Sequence, residues 1–497
     1  MSESVVSPFP LERHTPRISL DWLHDEPDTL WKLVEGSAVF ADISGFTALS
    51  ERLATRGRIG AEELVETLTR VFGTMLDTAA SRGGQLLKFG GDALLFLFDG
   101  DDHVRQACST AVEMRSSLRS ASDIVTSVGR LSLSISIGVH SGEFHNFLVG
   151  HPHRELVVLG PGTTAVVGAE NEANAGDIVV SEGTAQRLPA SAVRDRGDGA
   201  LLLRWRKAPV EPSGALPTRP DDHDAAVGLL PSVLREALDG VRPDPAHRIA
   251  TVSFMKFSGT DAILEELGPD VLAQRLHDTI SVAQAAFEAE DIALLCVDCD
   301  VDGGKLFSSA GIPVTSEDDE GRMLRAARAV LEAQTPLGLQ IGVNRGHVFA
   351  AEIGTPRRCA YSAMGDTTNT AARICGKSEK GAIFVHPAVL EHSRVTYEAE
   401  PVGPFEFKGK THPQLLYRLG DEIGQREDDE DDDAPLLGRD DEADRLREHL
   451  ATSVGPSARG SAVVLNGGVG VGKSRLARQV IDEALDDDPS ITVMSLH

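Results

Sequence analysis

Cysteine is scarce: Cys108, Cys296, Cys299, Cys359 and Cys375 are the only five in 497 residues. An odd number this low excludes a disulfide-dense secreted scaffold and favours a reducing compartment, so the cytoplasm is the expected location. Long apolar runs are also missing. The longest, such as residues 94–98, fall far below the roughly 18 residues a spanning helix needs, and residues 1–13 lack the basic-then-apolar pattern of a signal peptide. Basic residues are in deficit, 48 against 76 acidic, for a formal net charge of −28. So negative a surface repels phosphate backbones and anionic membranes, which argues against nucleic-acid and membrane partners.

What is present is ordinary globular material, 41% apolar and 25% charged, in a length that suggests about three domains. Two breaks divide it. Pro209, Pro212, Pro217 and Pro220 mark an extended connector. Residues 421–442 hold twelve acidic residues against Arg426 and Arg439, a stretch whose self-repulsion favours a solvated tether. The segments flanking the proline connector repeat each other: Ile137-Gly138-Val139 matches Ile341-Gly342-Val343 at an offset of 204, Gly160 matches Gly365 at 205, and Ser44-Gly45 matches Ser258-Gly259 at 214. Each repeat mixes period-two strand patterns, as in residues 131–137, with helical spacing over residues 62–79 and 107–118, so the fold class is α+β. The expected divisions are an N-terminal extension (1–36), first repeat (37–207), linker (208–246), second repeat (247–420), acidic linker (421–435) and a C-terminal piece (436–497).

In the first repeat, Val39-Phe40-Ala41-Asp42 reads as a strand ending in a carboxylate, followed by the small-residue turn Ile43-Ser44-Gly45-Phe46-Thr47. Free amides at such a turn cradle phosphate. Lys88-Phe89-Gly90-Gly91-Asp92 places a second acid on a hairpin, and two aspartates on neighbouring strand ends suit a pair of hard cations such as Mg²⁺. In the second repeat, Asn369 and Arg373 stand four apart on one helix face. Cys296 and Cys299 have no second pair, and His140 and His347 read as structural histidines.

These motifs resemble the class III nucleotidyl cyclases, which convert ATP or GTP into the 3′,5′-cyclic nucleotide and pyrophosphate. Two such domains ahead of an NTPase segment resemble the soluble adenylyl cyclases. The resemblance implies two ferredoxin-like (βαββαβ-type) domains in an intramolecular pseudo-dimer. It implies metals (two Mg²⁺, with Mn²⁺ able to substitute) at Asp42, Asp92 and the Ile43 backbone. It further implies triphosphate contacts along Ser44, Gly45, Phe46 and Thr47, ribose orientation by Asn369 and transition-state stabilisation by Arg373. Ser362 takes a base-reading place, and Lys408, or else Lys410, the terminal phosphates. The family's adenine-reading lysine falls near Asp300, where an acid would suit guanine, so ATP is the expected substrate and GTP the alternative. Lys256 replaces Asp42 in the second repeat, and Thr163 and Val167 fall near the Asn369 and Arg373 positions in the first. One composite site is therefore expected, and a bicarbonate response, which needs an arginine at Val167, is not. A silent nucleotide-binding regulator and a diguanylate cyclase are the competing readings.

At the C-terminus, residues 461–466 read as a strand, Gly467-Gly-Val-Gly-Val-Gly472-Lys473-Ser474 matches a P-loop, and residues 475–485 read as a helix. The 24 residues after Lys473 leave out the acidic elements that NTP hydrolysis requires.

Overall fold

The computed structural model describes residues 10–45, 49, 52–53, 56, 58–91, 93–120, 124–131, 133–212, 222–239, 243–407, 410, 412–426, 438–453, 462–466, 472–488 and 491–493. The chain forms two compact units, Met1–Arg426 and Glu427–His497. No helix among the described residues is long and apolar enough to cross a membrane.

The first unit contains two similar mixed sheets of eight strands each. The first is built from β1 (Trp31–Ser44), β2 (Gln85–Gly90), β3 (Ala93–Phe98), β6 (Ser134–Val149), β7 (Glu155–Leu159), β8 (Ile178–Val180), β9 (Val193–Asp195) and β10 (Leu201–Leu203), with a separate ribbon of β4 (Ile124–Thr126) and β5 (Gly129–Leu131). The second uses β11 (Ala246–Ser258), β12 (Ala293–Asp300), β13 (Gly303–Ala310), β14 (Gln340–Thr355), β15 (Arg358–Met364), β16 (Ala382–Val385), β17 (Val395–Phe405) and β18 (Gln414–Gln425). The strand orders correspond one for one: β2-β3-β1-β6-β8-β10-β9 and β12-β13-β11-β14-β16-β18-β17, with β7 on β6 and β15 on β14. This is the duplication read from the repeated glycines.

Those glycines have a steric reason. A Cβ on Gly138 would come within 2.4 Å of the Glu170 amide nitrogen, and one on Gly342 within 2.2 Å of that of Cys375. Only glycine lets the helices Pro161–Asn171 and Asp366–Cys375 lie directly on the central strands.

β6 and β14 have 16 residues each, about 50 Å at a strand's rise, well beyond the alternating stretch 131–137 legible in the sequence. Both stay paired in their own sheets along their length, β6 with β1 and β14 with β11. Their second halves, with β7 and β15, enter the other repeat: Phe349, Ala351, Ile353 and Met364 are buried in the first repeat's core, and Phe147, Val149, Val157 and Leu159 in the second's. Each large apolar side chain so buried contributes roughly 1.5–3 kcal/mol, so neither core is complete without the other repeat.

Several sequence boundaries shift. The extension already contains a helix, Arg17–Asp25, and the start of β1. The linker carries the helices His223–Val227 and Ser232–Leu238, whose Ala226, Leu234 and Leu238 are buried with Leu11 and Val252 against the second sheet. The acidic tether begins later than expected, because β18 runs to Gln425 and Asp421 pairs with Arg328 at 3.0 Å.

In the second unit, the helices Asp440–Ser453 and Lys473–Asp487 pack through Ala443, Leu476 and Val480. Of the strand expected over 461–466, residues 462–466 show no strand pairing among the described residues. The expected helix over 475–485 lies inside Lys473–Asp487, with Gly472 at φ +86° as its N-cap. Gly467 and the Ser474 side chain lie outside the described residues.

Because the two cores share side chains, Phe349→Ala is expected to destabilise the whole first unit by about 3–5 kcal/mol. Urea unfolding followed by fluorescence and circular dichroism should show one shifted transition; two separated transitions would contradict the shared core.

Candidate active site

Asp42 sits near the end of β1, in register with Ala93 of β3 and Ser136 of β6. The Ser136 hydroxyl donates to Glu170 Oε1 at 2.8 Å. Burial pushes the Glu170 carboxyl above its ordinary range, and the charge of Asp42 adds to that push. Two carboxylates thus share one strand end, an oxygen donor set suited to hard divalent cations. Glu170 was not singled out from the sequence. Its signal lay in the repeats: at the matching offset the second repeat has Cys375, just as it has Lys256 in place of Asp42.

Ile43 is buried in the first core, and Gly45 turns the chain at φ +95° before its carbonyl accepts from the Leu49 amide at 3.2 Å. Ser44 ends β1, its side chain outside the description; Phe46, Thr47, Asp92 and Lys408 also lie outside the described residues. Asp92's hairpin is located by its neighbours, since Gly90 packs so closely on the second repeat that a Cβ would lie 2.7 Å from Asp298 Oδ2.

On the second repeat, Ser362 is buried on β15, the arm that enters the first repeat's core. Asn369 and Arg373 are half-buried on the helix Asp366–Cys375. That helix is anchored at its start: the Thr367 hydroxyl donates to the His347 carbonyl at 2.7 Å, and Asn344 Nδ2 to the Thr367 carbonyl at 2.9 Å. The Lys410 ammonium donates to the Asp366 carboxylate in the first turn.

The mirrored cleft is filled by its own side chains. Lys256, in the place of Asp42, pairs with Asp300 at 2.8 Å, and Lys305 reaches the same carboxylate at 3.1 Å. Burial works to raise the Asp300 pKa, but the two lysines outweigh it and hold it below the carboxylate range. The Asp302 carboxylate accepts from the Gly259 amide at 3.1 Å and the Asp261 amide at 2.9 Å. These are the amides of the turn matching Gly45, so a carboxylate occupies the position a phosphate oxygen would take. From the first repeat, Thr164 closes the lid: its hydroxyl donates to Asp261 at 2.7 Å and accepts from the Asp302 amide at 2.9 Å.

Two sequence assignments change. Gly160 and Gly365 are the paired N-caps, so Thr164 and Gly168, rather than Thr163 and Val167, match Asn369 and Arg373. By strand register, Asp300 does not match Lys88. Lys88 lies opposite Leu95 and Cys296 opposite Phe307, while Leu95 and Phe307 face Phe40 and Phe254 at matching rungs, so Cys296 occupies the lysine position. The second repeat's hairpin is longer, which displaced the alignment. Cys296 and Ser362 line the same 80 Å³ cavity with Lys88; burial raises the Cys296 thiol, keeping it neutral. His140 is structural, bonded to Ser181 at 2.8 Å and pushed down to about 4, by burial first and then by Arg187.

A raised carboxyl pKa is a penalty that exists while the group is ionised and disappears once pH falls below the unfolded-state value. Glu170→Gln is therefore expected to raise the thermal midpoint at pH 7–8 without metal, with the gain vanishing near pH 4. Mn²⁺ should stabilise the wild type more than this variant. Thermal scans with and without Mn²⁺ check both; equal Mn²⁺ gains would remove Glu170 from the cation set.

The sequence profile of the adenylate and guanylate cyclase catalytic domain matches residues 34–204 and 321–420. Adenylate cyclase type 10 of Oryctolagus cuniculus is 23% identical over 510 residues, covering 90% of this chain and 30% of that protein. The Rattus norvegicus protein of the same name is 28% identical over 421 residues, covering 76% of this chain and 25% of the relative. The chain thus spans less than a third of these relatives' length. Among solved structures, a class III adenylyl cyclase-like ATP-binding protein from Pseudomonas aeruginosa superposes with a TM-score of 0.55 at 13% identity, over 73% of this chain and 85% of that one; at this identity the likeness is one of fold. With both repeats matched by the profile, the chain belongs to the adenylate and guanylate cyclase catalytic domain family.

Proposed function

We propose that the chain is an adenylyl cyclase with one composite active site, converting ATP into 3′,5′-cyclic AMP and pyrophosphate. The observation that carries this reading is the asymmetry of the two clefts. One keeps Asp42 and Glu170 beside the glycine turn, while the other has a lysine in place of Asp42 and its turn amides occupied by Asp302.

Asp42 and Asp92, with the Ile43 carbonyl, would hold two Mg²⁺ ions, with Mn²⁺ able to substitute. When bound, such ions acidify the ribose 3′-hydroxyl and neutralise the triphosphate. Residues 43–47 lend backbone amides to the phosphates. Asn369 fixes the ribose so that the 3′-oxygen approaches the α-phosphorus in line. Arg373, always charged and forked, stabilises negative charge that grows on the α-phosphoryl oxygens as the bond to the pyrophosphate leaving group lengthens. Lys408 serves the terminal phosphates. Lys410 holds Asp366 and so steadies the first turn of the helix that carries Asn369 and Arg373.

ATP is favoured over GTP because no acid stands at the position matching Lys88: Cys296 takes it, and Asp300 pairs with Lys256 and Lys305 instead. Cys296 and Ser362 instead offer a neutral thiol and a hydroxyl beside the base position. The adenylate cyclase relatives and the ATP-binding neighbour in fold support the same choice. The alternative is a silent nucleotide-binding module that regulates the attached segment; it draws on the missing base-reading lysine. In the C-terminal unit, Gly467, Gly472, Lys473 and Ser474 would cradle a second nucleotide's phosphates. The expected location is the cytoplasm.

Purified chain with Mn²⁺ or Mg²⁺ and ATP is expected to make cyclic AMP, and far less cyclic GMP from GTP. Asp42→Ala and Arg373→Ala should each cut kcat by about 10²-fold or more. Nucleotide binding without product from either nucleotide would favour the silent module, and cyclic GMP alone would reverse the base assignment.

A further inference from the structure

His14, Glu352 and Cys359 converge where the segment preceding the first sheet crosses the β14–β15 hairpin. We propose that these three side chains form a zinc site that staples the N-terminal segment to the second repeat.

The geometry is that of a ligand set. His14 Nε2 lies 3.0 Å from Glu352 Oε1, and Cys359 Sγ lies 3.8 Å from that nitrogen and 3.9 Å from that oxygen. With bonds of about 2.0–2.1 Å to nitrogen and oxygen and about 2.3 Å to sulfur, tetrahedral zinc spaces such atoms roughly 3.3–3.6 Å apart. Side-chain shifts of a few tenths of an ångström complete the match. The donor types also select the metal, since thiolate with imidazole suits zinc and not the hard cations expected at Asp42. All three side chains are buried, His14 and Glu352 at 4% and 3% exposure, so a bound ion would be shielded from solvent.

The surroundings are those of an outer shell. Arg13 donates to Glu352 Oε2 at 3.0 Å, leaving Oε1 toward His14 and Cys359, and its Nε donates to Cys359 Sγ at 2.9 Å. Such bonds orient a metal-bound carboxylate and thiolate. A carboxylate and a thiolate bring two negative charges to Zn²⁺, with the imidazole neutral and Arg13 held on the outer oxygen of Glu352. Burial raises the free thiol to about 11, so binding would release its proton to solvent. The fourth ligand is a water, drawn from the 80 Å³ cavity that His14 lines together with Lys88, Cys296 and Ser362.

The β14–β15 hairpin also delivers Phe349, Ala351, Ile353 and Met364 to the first repeat, so zinc here would brace the pairing of the two repeats. The competing reading is a metal-free ion-pair cluster in which Arg13 alone neutralises Glu352.

The full chain, incubated with one equivalent of Zn²⁺ and desalted, is assayed by plasma mass spectrometry beside Cys359→Ser and His14→Ala. One zinc per chain, lost in both variants, is the expected result. Wild-type chain loaded with Co²⁺ should show the near-ultraviolet thiolate-to-cobalt charge-transfer band, a readout independent of whether the variants fold. Zinc content equal in wild type and folded Cys359→Ser, or wild type without that band, would overturn the proposal and leave the ion-pair cluster.

Discussion

The structure depends on an exchange of apolar side chains between two copies of one fold. β6–β7 and β14–β15 stay in their own sheets but extend into the core of the opposite repeat, so Met364 and Phe349 are interior residues of a domain they do not belong to by sequence. Burial of this kind is non-directional and large, and it fixes the repeats face to face before any polar contact is made. The chemistry follows from that arrangement. Ser362 rides on the exchanged arm, and the helix bearing Asn369 and Arg373 is seated on the strand that feeds it, against Gly342.

A pseudo-twofold pairing of equals would create two equal clefts, and polar side chains decide that it does not. Lys256 for Asp42, Cys375 for Glu170 and Thr164 for Asn369 convert one cleft from a cation and phosphate receptor into a self-satisfied cluster. Asp302 supplies the anion and Lys256 and Lys305 the cations, all from within the chain. The other cleft keeps two carboxylates, and the charge of Asp42 adds to the burial that raises Glu170. One fold thus yields a reactive site and an inert one through a handful of substitutions.

Much of this was legible in the sequence, for physical reasons. Gly138 and Gly342 stood out because only glycine tolerates a helix backbone at van der Waals contact, and that register found the repeat. Asp42 was legible as a carboxylate ending an apolar strand beside a glycine turn. The arm exchange was not, because beyond residue 140 the faces of β6 are sorted by a second core that no local period reports. Glu170 was not legible, since its proximity to Asp42 comes from the seating of its helix on Gly138. Asp300 was misassigned because the pairing of β13 with β11 sets the rung, and that pairing is non-local. The tether's acidity was read correctly, but its onset was not, because Asp421 is held at the end of β18 by Arg328.

The central claim is that nucleotide and metal enter one cleft, built from both repeats, while its mirror image is closed. The most direct measurement is a crystal structure of the chain with Mn²⁺ and a non-cyclisable ATP analogue, locating manganese by its anomalous scattering. The account predicts manganese against Asp42, the triphosphate on the turn at Gly45, and Asn369 and Arg373 facing it from the second repeat. Manganese or triphosphate at Lys256 and the Gly259 turn, with Asp302 displaced, would contradict it.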